Sequence, residues 1–252
     1  MKKIIILLAA IAVAAAAVVV IVLFTGTSDA PEYVAEPPLA NIADALRFKA
    51  EHEDLNGVVP NPDFPERVFR DMYIPLDVPF RYVEYDEIIQ LFETNGSGVV
   101  YLSFPICPWC RTFIPVLIDA AREFGVYEIL YRDVLDDRNI LELRDGVIHE
   151  VRAGHPGYYR LLELLGDFAP EYTGLNDPTI RRTFVPALIF IRNGEIIRYQ
   201  GVLASFLERA TDNGLGGWQE MNDDEVYELT QIFMDYFRKV FGDIDDCVSS
   251  AC

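Results

Sequence analysis

The stretch Val99-Val100-Tyr101-Leu102-Ser103-Phe104-Pro105-Ile106-Cys107-Pro108-Trp109-Cys110-Arg111 decides how this chain is read. Residues 99–104 are almost all apolar or aromatic and predict a strong strand. Beyond them Phe113, Ile114, Val116, Leu117, Ala120, Ala121 and Phe124 recur at three- and four-residue spacings. That spacing predicts a helix over 107–124 with one buried face. The cysteine pair therefore follows a strand and opens a helix.

This context suits a reactive dithiol. A thiol at a helix start meets unpaired backbone N–H groups and the positive end of the helix dipole, which favour the thiolate. Thiolate is the attacking species in disulfide exchange. Cys110 lies almost one turn further on the same face, where it can attack a mixed disulfide held by Cys107. Pro108 suits the first turn, since its missing N–H costs nothing there. Other readings stay open. The pair could be half of a zinc site, but zinc needs two further ligands. The other two cysteines sit at the extreme C-terminus, and none of the three histidines is close in sequence. A structural disulfide is a further alternative, and a buried pair of free thiols would be odd in an exported chain. Trp109 reads either as an aromatic filling the lip of the site or as a hydrophobic platform for partner chains. Arg111 reads as a solvated side chain projecting from the helix.

Outward from this centre the pattern is α/β. Residues 80–85 predict a strand, 86–94 a short helix, 95–98 a turn and 127–134 a further strand. An insertion over about 135–183 holds a predicted helix at 158–165. Two strands, 187–192 and 195–199, flank Asn193-Gly194, a two-residue hairpin signal. A final amphipathic helix over 223–241 carries the stripe Val226, Leu229, Phe233, Tyr236, Phe237 and Val240. Before all this, Asn41 can cap a helix to about residue 55, with Ile42, Ala45, Leu46 and Phe48 as packing residues. Residues 58–79 read as a long irregular connection. His155, in Gly154-His155-Pro156-Gly157, reads as a turn histidine rather than a site residue. The Asp-rich stretch 133–137 does not fit an EF-hand loop and reads as a solvated turn.

In this order, a strand, Cys107-Pro108-Trp109-Cys110 at a helix start, a strand, Phe184-Val185-Pro186-Ala187, a hairpin and a helix resemble the thioredoxin fold. The resemblance covers about residues 80–241. It implies a mixed sheet flanked by helices, with a helical extension before it and a helical insertion before the cis-proline strand. It also implies that Pro186 is a cis-proline facing the dithiol. Val185 would then help form the backbone edge that receives a partner's cysteine, and Gly201 matches a family glycine after the last strand. The implied catalytic set is Cys107 as nucleophile, Cys110 as resolving thiol and Pro186 shaping the docking edge, with Trp109 and Val185 as docking residues and no cofactor. One departure matters. The family carries a buried acid six residues before the first cysteine, and Tyr101 stands there. Proton handling must differ, through water or another acid such as Asp133. Residues 48–56 and Cys107-Pro108-Trp109-Cys110-Arg111 are also similar to exported thioredoxin-like proteins of Gram-positive bacteria.

The N-terminus sets the expected location. Lys2 and Lys3 precede an apolar run from Ile4 to Phe24, which as a helix would span ~31 Å, close to a bilayer's hydrocarbon core. The next basic residue is Arg47. The positive-inside rule therefore predicts a transmembrane anchor at 1–24, N-terminus cytoplasmic and domain extracytoplasmic. The alternative is secretion after signal-peptide cleavage. Residues 25–40 read as a linker, 41–79 as the extension, 80–242 as the thioredoxin-like domain and 243–252 as a flexible tail. Acidic residues number 40 against 21 basic, a formal charge of -19. Such a surface repels nucleic acid, and the expected partners are cysteine-bearing exported proteins or a membrane redox partner. The tail cysteines Cys247 and Cys252 read as a local disulfide or as a redox relay exchanging with Cys107. Two other functions remain open: a non-catalytic binding module of this fold, and a soft-metal carrier.

Overall fold

A computed structural model describes residues 42–242, all within the unit spanning Pro38–Cys252. The predicted anchor at 1–24, the linker at 25–40, the Asn41 cap and the tail with Cys247 and Cys252 lie outside the described residues. Among the described residues no helix is long and apolar enough to cross a membrane.

The chain opens with helix α1 (Ile42–Glu53), then strand β1 (Phe80–Tyr82) and helix α2 (Tyr85–Glu93). Strand β2 (Gly98–Ser103) leads into helix α3 (Pro108–Phe124), followed by β3 (Ile129–Asp133). The insertion contributes β4 (Ile140–Arg144), β5 (Val147–Arg152) and α4 (Pro156–Leu165). The chain returns through β6 (Ala187–Arg192), β7 (Glu195–Gln200), α5 (Ala204–Asp212) and α6 (Asp223–Phe241). The main sheet runs β1-β3-β2-β6-β7, with β1, β3 and β2 parallel and β6 and β7 antiparallel. This mixed sheet with its flanking helices fits a thioredoxin-like fold.

Strand β2 sits at the centre, and its composition explains why. Val99 and Tyr101 face one core with Phe113 of α3 and Phe233 of α6, while Val100 and Leu102 face a second core with Tyr158 and Leu161 of α4. A strand buried on both faces needs a continuous apolar run rather than alternation. Asn193 and Gly194 both take positive φ at the β6–β7 turn, as a two-residue hairpin of this hand requires. At the start of α6, Asn222 and Glu225 form a capping box.

Several expectations are corrected. The insertion is not purely helical, because β4 and β5 pair as an antiparallel hairpin turned by Asp145-Gly146, also at positive φ. Helix α5 was not expected at all. On α1 the buried face is Ala45, Phe48 and His52, while Ile42 and Leu46 lie outside that stripe and are exposed. On α6 Val226 faces solvent, and Glu225 is buried instead against Arg209, whose Nε and Nη2 donate at 2.8 and 2.6 Å. Asp137 is no solvated turn residue, since its carboxylate receives the Tyr85 hydroxyl at 3.0 Å and Arg132 Nε at 2.8 Å.

The largest correction is Arg111, which is 1% exposed. It points from α3 into the N-terminal extension, not into water. Its Nη1 donates to His52 O at 2.7 Å, and its Nη2 to Asn56 Oδ1 at 2.7 Å and Arg70 O at 2.6 Å. Charge-assisted bonds of this kind contribute about 1.5–3 kcal/mol each against a large desolvation cost. Burial lowers Arg111 to about 10. His52 shares the seat. Its Nδ1 donates to Phe48 O at 2.8 Å and its ring stacks on Phe48. Arg111 and His52 thus tie α1 and the 56–74 strap to the helix that carries the dithiol.

Burial lowers His52 to about 4. The unfolded chain takes up this proton as pH falls through about 6.5, and the folded chain only near the lower value, so folding stability is lost across that window as pH falls. The full loss is about 3 kcal/mol. In His52→Leu, urea unfolding between about pH 7 and about pH 4.5 should show a shallower loss than in the unsubstituted protein. Parallel curves for the two proteins would contradict the assignment.

Candidate active site

Cys107 is the N-cap of α3, with Pro108 in the first turn. The geometry follows from the sequence: proline ends the strand-like conformation before it and its fixed φ starts the helix. Cys107 Sγ accepts the backbone N–H of Cys110 at 3.1 Å and donates to Val185 O at 3.8 Å. The first of these bonds strengthens when the sulfur carries negative charge. Val185-Pro186 is a cis peptide. The structure thus brings Cys107, Cys110, Val185 and Pro186 together, and both thiols are free.

The two sulfurs differ in access. Cys107 is 3% exposed, and Cys110 is fully buried. Burial pushes the Cys110 thiol up, and the neighbouring Cys107 adds to this, while Ser103 and the Phe104 backbone act the other way. Around Cys110 stand the hydroxyls of Tyr101 and Ser103, with Tyr131 behind them. All three side chains are fully buried, and Tyr101, Ser103 and Cys110 lie close enough to act on one another as a polar cluster. Asp133, at the end of β3, is half-buried. It acts electrostatically on Tyr131 and Tyr82, and its own carboxyl is raised by burial and by the charges of Glu51, Asp137 and Asp136.

Three parts of the fold hold the loop against Cys107. The Tyr158 hydroxyl on α4 accepts Thr183 N at 3.1 Å and Thr183 Oγ1 at 3.3 Å. Tyr199 on β7 donates to Phe184 O at 3.2 Å, and Arg138 Nη1 donates to Thr183 O at 3.3 Å. Gly201 stands behind Pro186, where an added Cβ would lie 3.6 Å from its carbonyl. Sequence reasoning missed Tyr158, Tyr199 and Arg138. The first two read as ordinary apolar positions of a helix and a strand, and Arg138 gave no signal. His155 serves structure, because its Nδ1 accepts Gly157 N at 3.0 Å to cap α4 and its ring stacks on Tyr85.

Trp109 is half-buried. It packs edge-on against Phe206 of α5, and a Cβ on Gly217 would come within 2.6 Å of its backbone nitrogen. The exposed apolar side chains beside the dithiol are Ile106 and Phe184. Among the described residues no group of three or more His, Cys, Asp or Glu is placed to hold a metal ion.

No protein-family profile and no curated protein matches this sequence. Among solved structures the chain is similar to thioredoxin O1 from Arabidopsis thaliana in the oxidized state, at 14% identity and a TM-score of 0.31, over 55% of this chain and 98% of that one. It is also similar to thioredoxin O2 from the same plant in the oxidized state, at 12% identity and a TM-score of 0.31, over 55% of this chain and 95% of that one. The fold assignment rests on the strand order and register described above.

The difference in access predicts how the reduced protein reacts. Under native conditions iodoacetamide should modify Cys107 at least about tenfold faster than Cys110, as read by peptide mass spectrometry, and unfolding should abolish the difference. Equal native rates would show that Cys110 is open to solvent.

Proposed function

We propose that this chain is an extracytoplasmic thiol-disulfide oxidoreductase whose nucleophile is Cys107. The observation that carries this reading is the pairing of one marginally accessible thiol with one buried thiol, the first held between a helix start and the Val185 carbonyl. Cys107 as thiolate attacks a partner's disulfide. The partner's S–S bond breaks, a Cys107–S bond forms, and the leaving sulfur departs as a thiolate that takes up a proton. Cys110 then loses its proton and attacks Cys107 Sγ. A Cys107–Cys110 disulfide forms and the second partner thiol leaves. Two protein thiols are oxidised and one disulfide is reduced, and run backwards the same steps oxidise a dithiol. No step calls for a cofactor.

The basic-flanked apolar run at residues 4–24 supports a membrane anchor with the domain outside. Thiol partners there are cysteine-bearing exported proteins or a membrane redox protein. Cys247 and Cys252 are proposed as a dithiol that exchanges with the central pair.

In cells, Cys110→Ser should accumulate mixed disulfides with exported proteins, visible as higher-mass species that dithiothreitol removes. Cys107→Ser should accumulate none, and either change should lower disulfide turnover at least about 100-fold. Identical adducts from both variants, or turnover that survives both, would contradict the mechanism. Absence of adducts with intact redox cycling elsewhere would favour a binding module.

A further inference from the structure

Arginines of this acidic chain commonly face carboxylates. Arg81 meets Glu87 and Glu128, Arg122 meets Asp77, and Arg132 meets Glu84 and Asp137. Arg138 and Arg182, like Arg111, are held otherwise, and unlike Arg111 they lie beside the loop that faces Cys107. Among the described residues neither has a carboxylate within ion-pair distance. Arg138 lies over the ring of Phe104 at 4.9 Å and holds the Thr183 carbonyl. Arg182 lies over the ring of Tyr172 at 4.6 Å and donates to its hydroxyl. The two cations are close enough to repel, and Arg138 is within electrostatic reach of both Cys107 and Cys110.

The loop fixes where this charge sits. Arg138 binds the Thr183 carbonyl and Cys107 Sγ binds the Val185 carbonyl, two residues later on the same segment. These anchors are at most ~7 Å apart along the chain. A guanidinium carries five N–H donors. Among the described residues the Arg138 side chain uses one of them, on Thr183, and its Nε is buried without a partner. Both arginines are half-buried, where a charge is screened less than in open water. Two close cations without counter-ions, in a molecule of net charge -19, leave a local positive site that lacks its anion. Both come from the insertion between β3 and β6.

We propose that Arg138, backed by Arg182, forms an anion subsite beside Cys107 that selects disulfides carrying a carboxylate near the reacting sulfur. The proposal rests on the exchange chemistry proposed above and names its substrate class. The carboxylate docks on the guanidinium donors while Cys107 attacks the neighbouring sulfur. The substrate S–S bond breaks, the Cys107–S bond forms, and the departing thiolate takes up a proton from water. Cys110 then displaces the retained half and completes the Cys107–Cys110 disulfide.

The charge of the whole molecule predicts the opposite preference, because a strongly negative protein attracts cationic substrates and repels anionic ones. Three small disulfides of similar size separate the two: dithiodipropionate (anionic), hydroxyethyl disulfide (neutral) and cystamine (cationic). The full-length reduced protein is mixed with each, quenched with acid and scored for the Cys107–Cys110 disulfide by peptide mass mapping, which separates it from a disulfide of Cys247 and Cys252. The expected order of second-order rate constants is anionic, neutral, cationic, with the anionic compound about fivefold ahead of the neutral one at low salt. The ratio should fall toward one as salt rises. It should persist in Arg138→Lys and vanish in Arg138→Met. The ratio within each variant is the readout, since a merely structural loss would slow all three compounds alike. Cystamine reacting fastest, or an unchanged ratio in Arg138→Met, would overturn the subsite while leaving the exchange reading intact. The salt series on the unsubstituted protein decides the matter even if Arg138→Met fails to fold. No reaction with any of the three would overturn the exchange reading and the subsite with it.

Discussion

The contact between Cys107 Sγ, the Cys110 N–H and the Val185 carbonyl organises this molecule. It joins two segments far apart in sequence, the start of α3 and the loop before β6. Each must be held to within a fraction of an ångström for a sulfur to meet both a helix N–H and a loop carbonyl. The central sheet supplies the coarse placement, because β2 and β6 are antiparallel neighbours that end at these segments. The fine placement comes from hydroxyls and a guanidinium contributed by Tyr158, Tyr199 and Arg138. Two of these three belong to the insertion, which gives the insertion a role in the site and not only in the outline of the fold.

The other side of α3 is held by a buried cation. Arg111 is sealed among neutral carbonyls instead of paired with a carboxylate, an arrangement that costs desolvation and is offset by three short hydrogen bonds. The N-terminal extension is what makes it tolerable. Without α1 and the strap, the guanidinium would sit in water and the helix would lose its outer support. The extension and the dithiol are therefore mechanically one unit, linked through the residue that immediately follows the motif. Around Cys110 stand tyrosine and serine hydroxyls, which put this thiol in a setting that is polar.

Much of this was legible in the sequence, for identifiable reasons. Strand β2 and helix α3 were visible because a continuous apolar run and a three- and four-residue spacing are different signals, although α3 is buried all round except along Pro115, Asp119, Arg122 and Glu123 and not on one face alone. The β6–β7 turn was visible because Asn-Gly satisfies two positive φ angles. The same argument applied to Asp145-Gly146, yet β4 and β5 were missed, because their half-exposed residues mix apolar with charged side chains and show no clean alternation. Helix α5 was missed because only Phe206 and Ala210 are buried on it. Arg111 could not be read, since solvent is the default for a charged residue and its burial depends on a segment about forty to sixty residues earlier. The cysteine pair was read from its place between a strand and a helix start, and the Val185-Pro186 loop and Tyr101 were placed by the resemblance, whereas the residues that clamp the loop act through single hydroxyls or a guanidinium that no periodicity reports.

The account stands or falls on whether Cys107 and Cys110 form one reversible redox couple. The direct measurement is equilibration of the full-length protein in graded dithiothreitol redox buffers, with thiol state counted by mass after acid quenching and the disulfide mapped to its peptides. The account predicts that the Cys107 and Cys110 peptides are oxidised together in one two-electron transition, joined to each other in the oxidised form whatever the state of Cys247 and Cys252. An oxidised form in which Cys107 stays a free thiol, or joins only a tail cysteine, would contradict it.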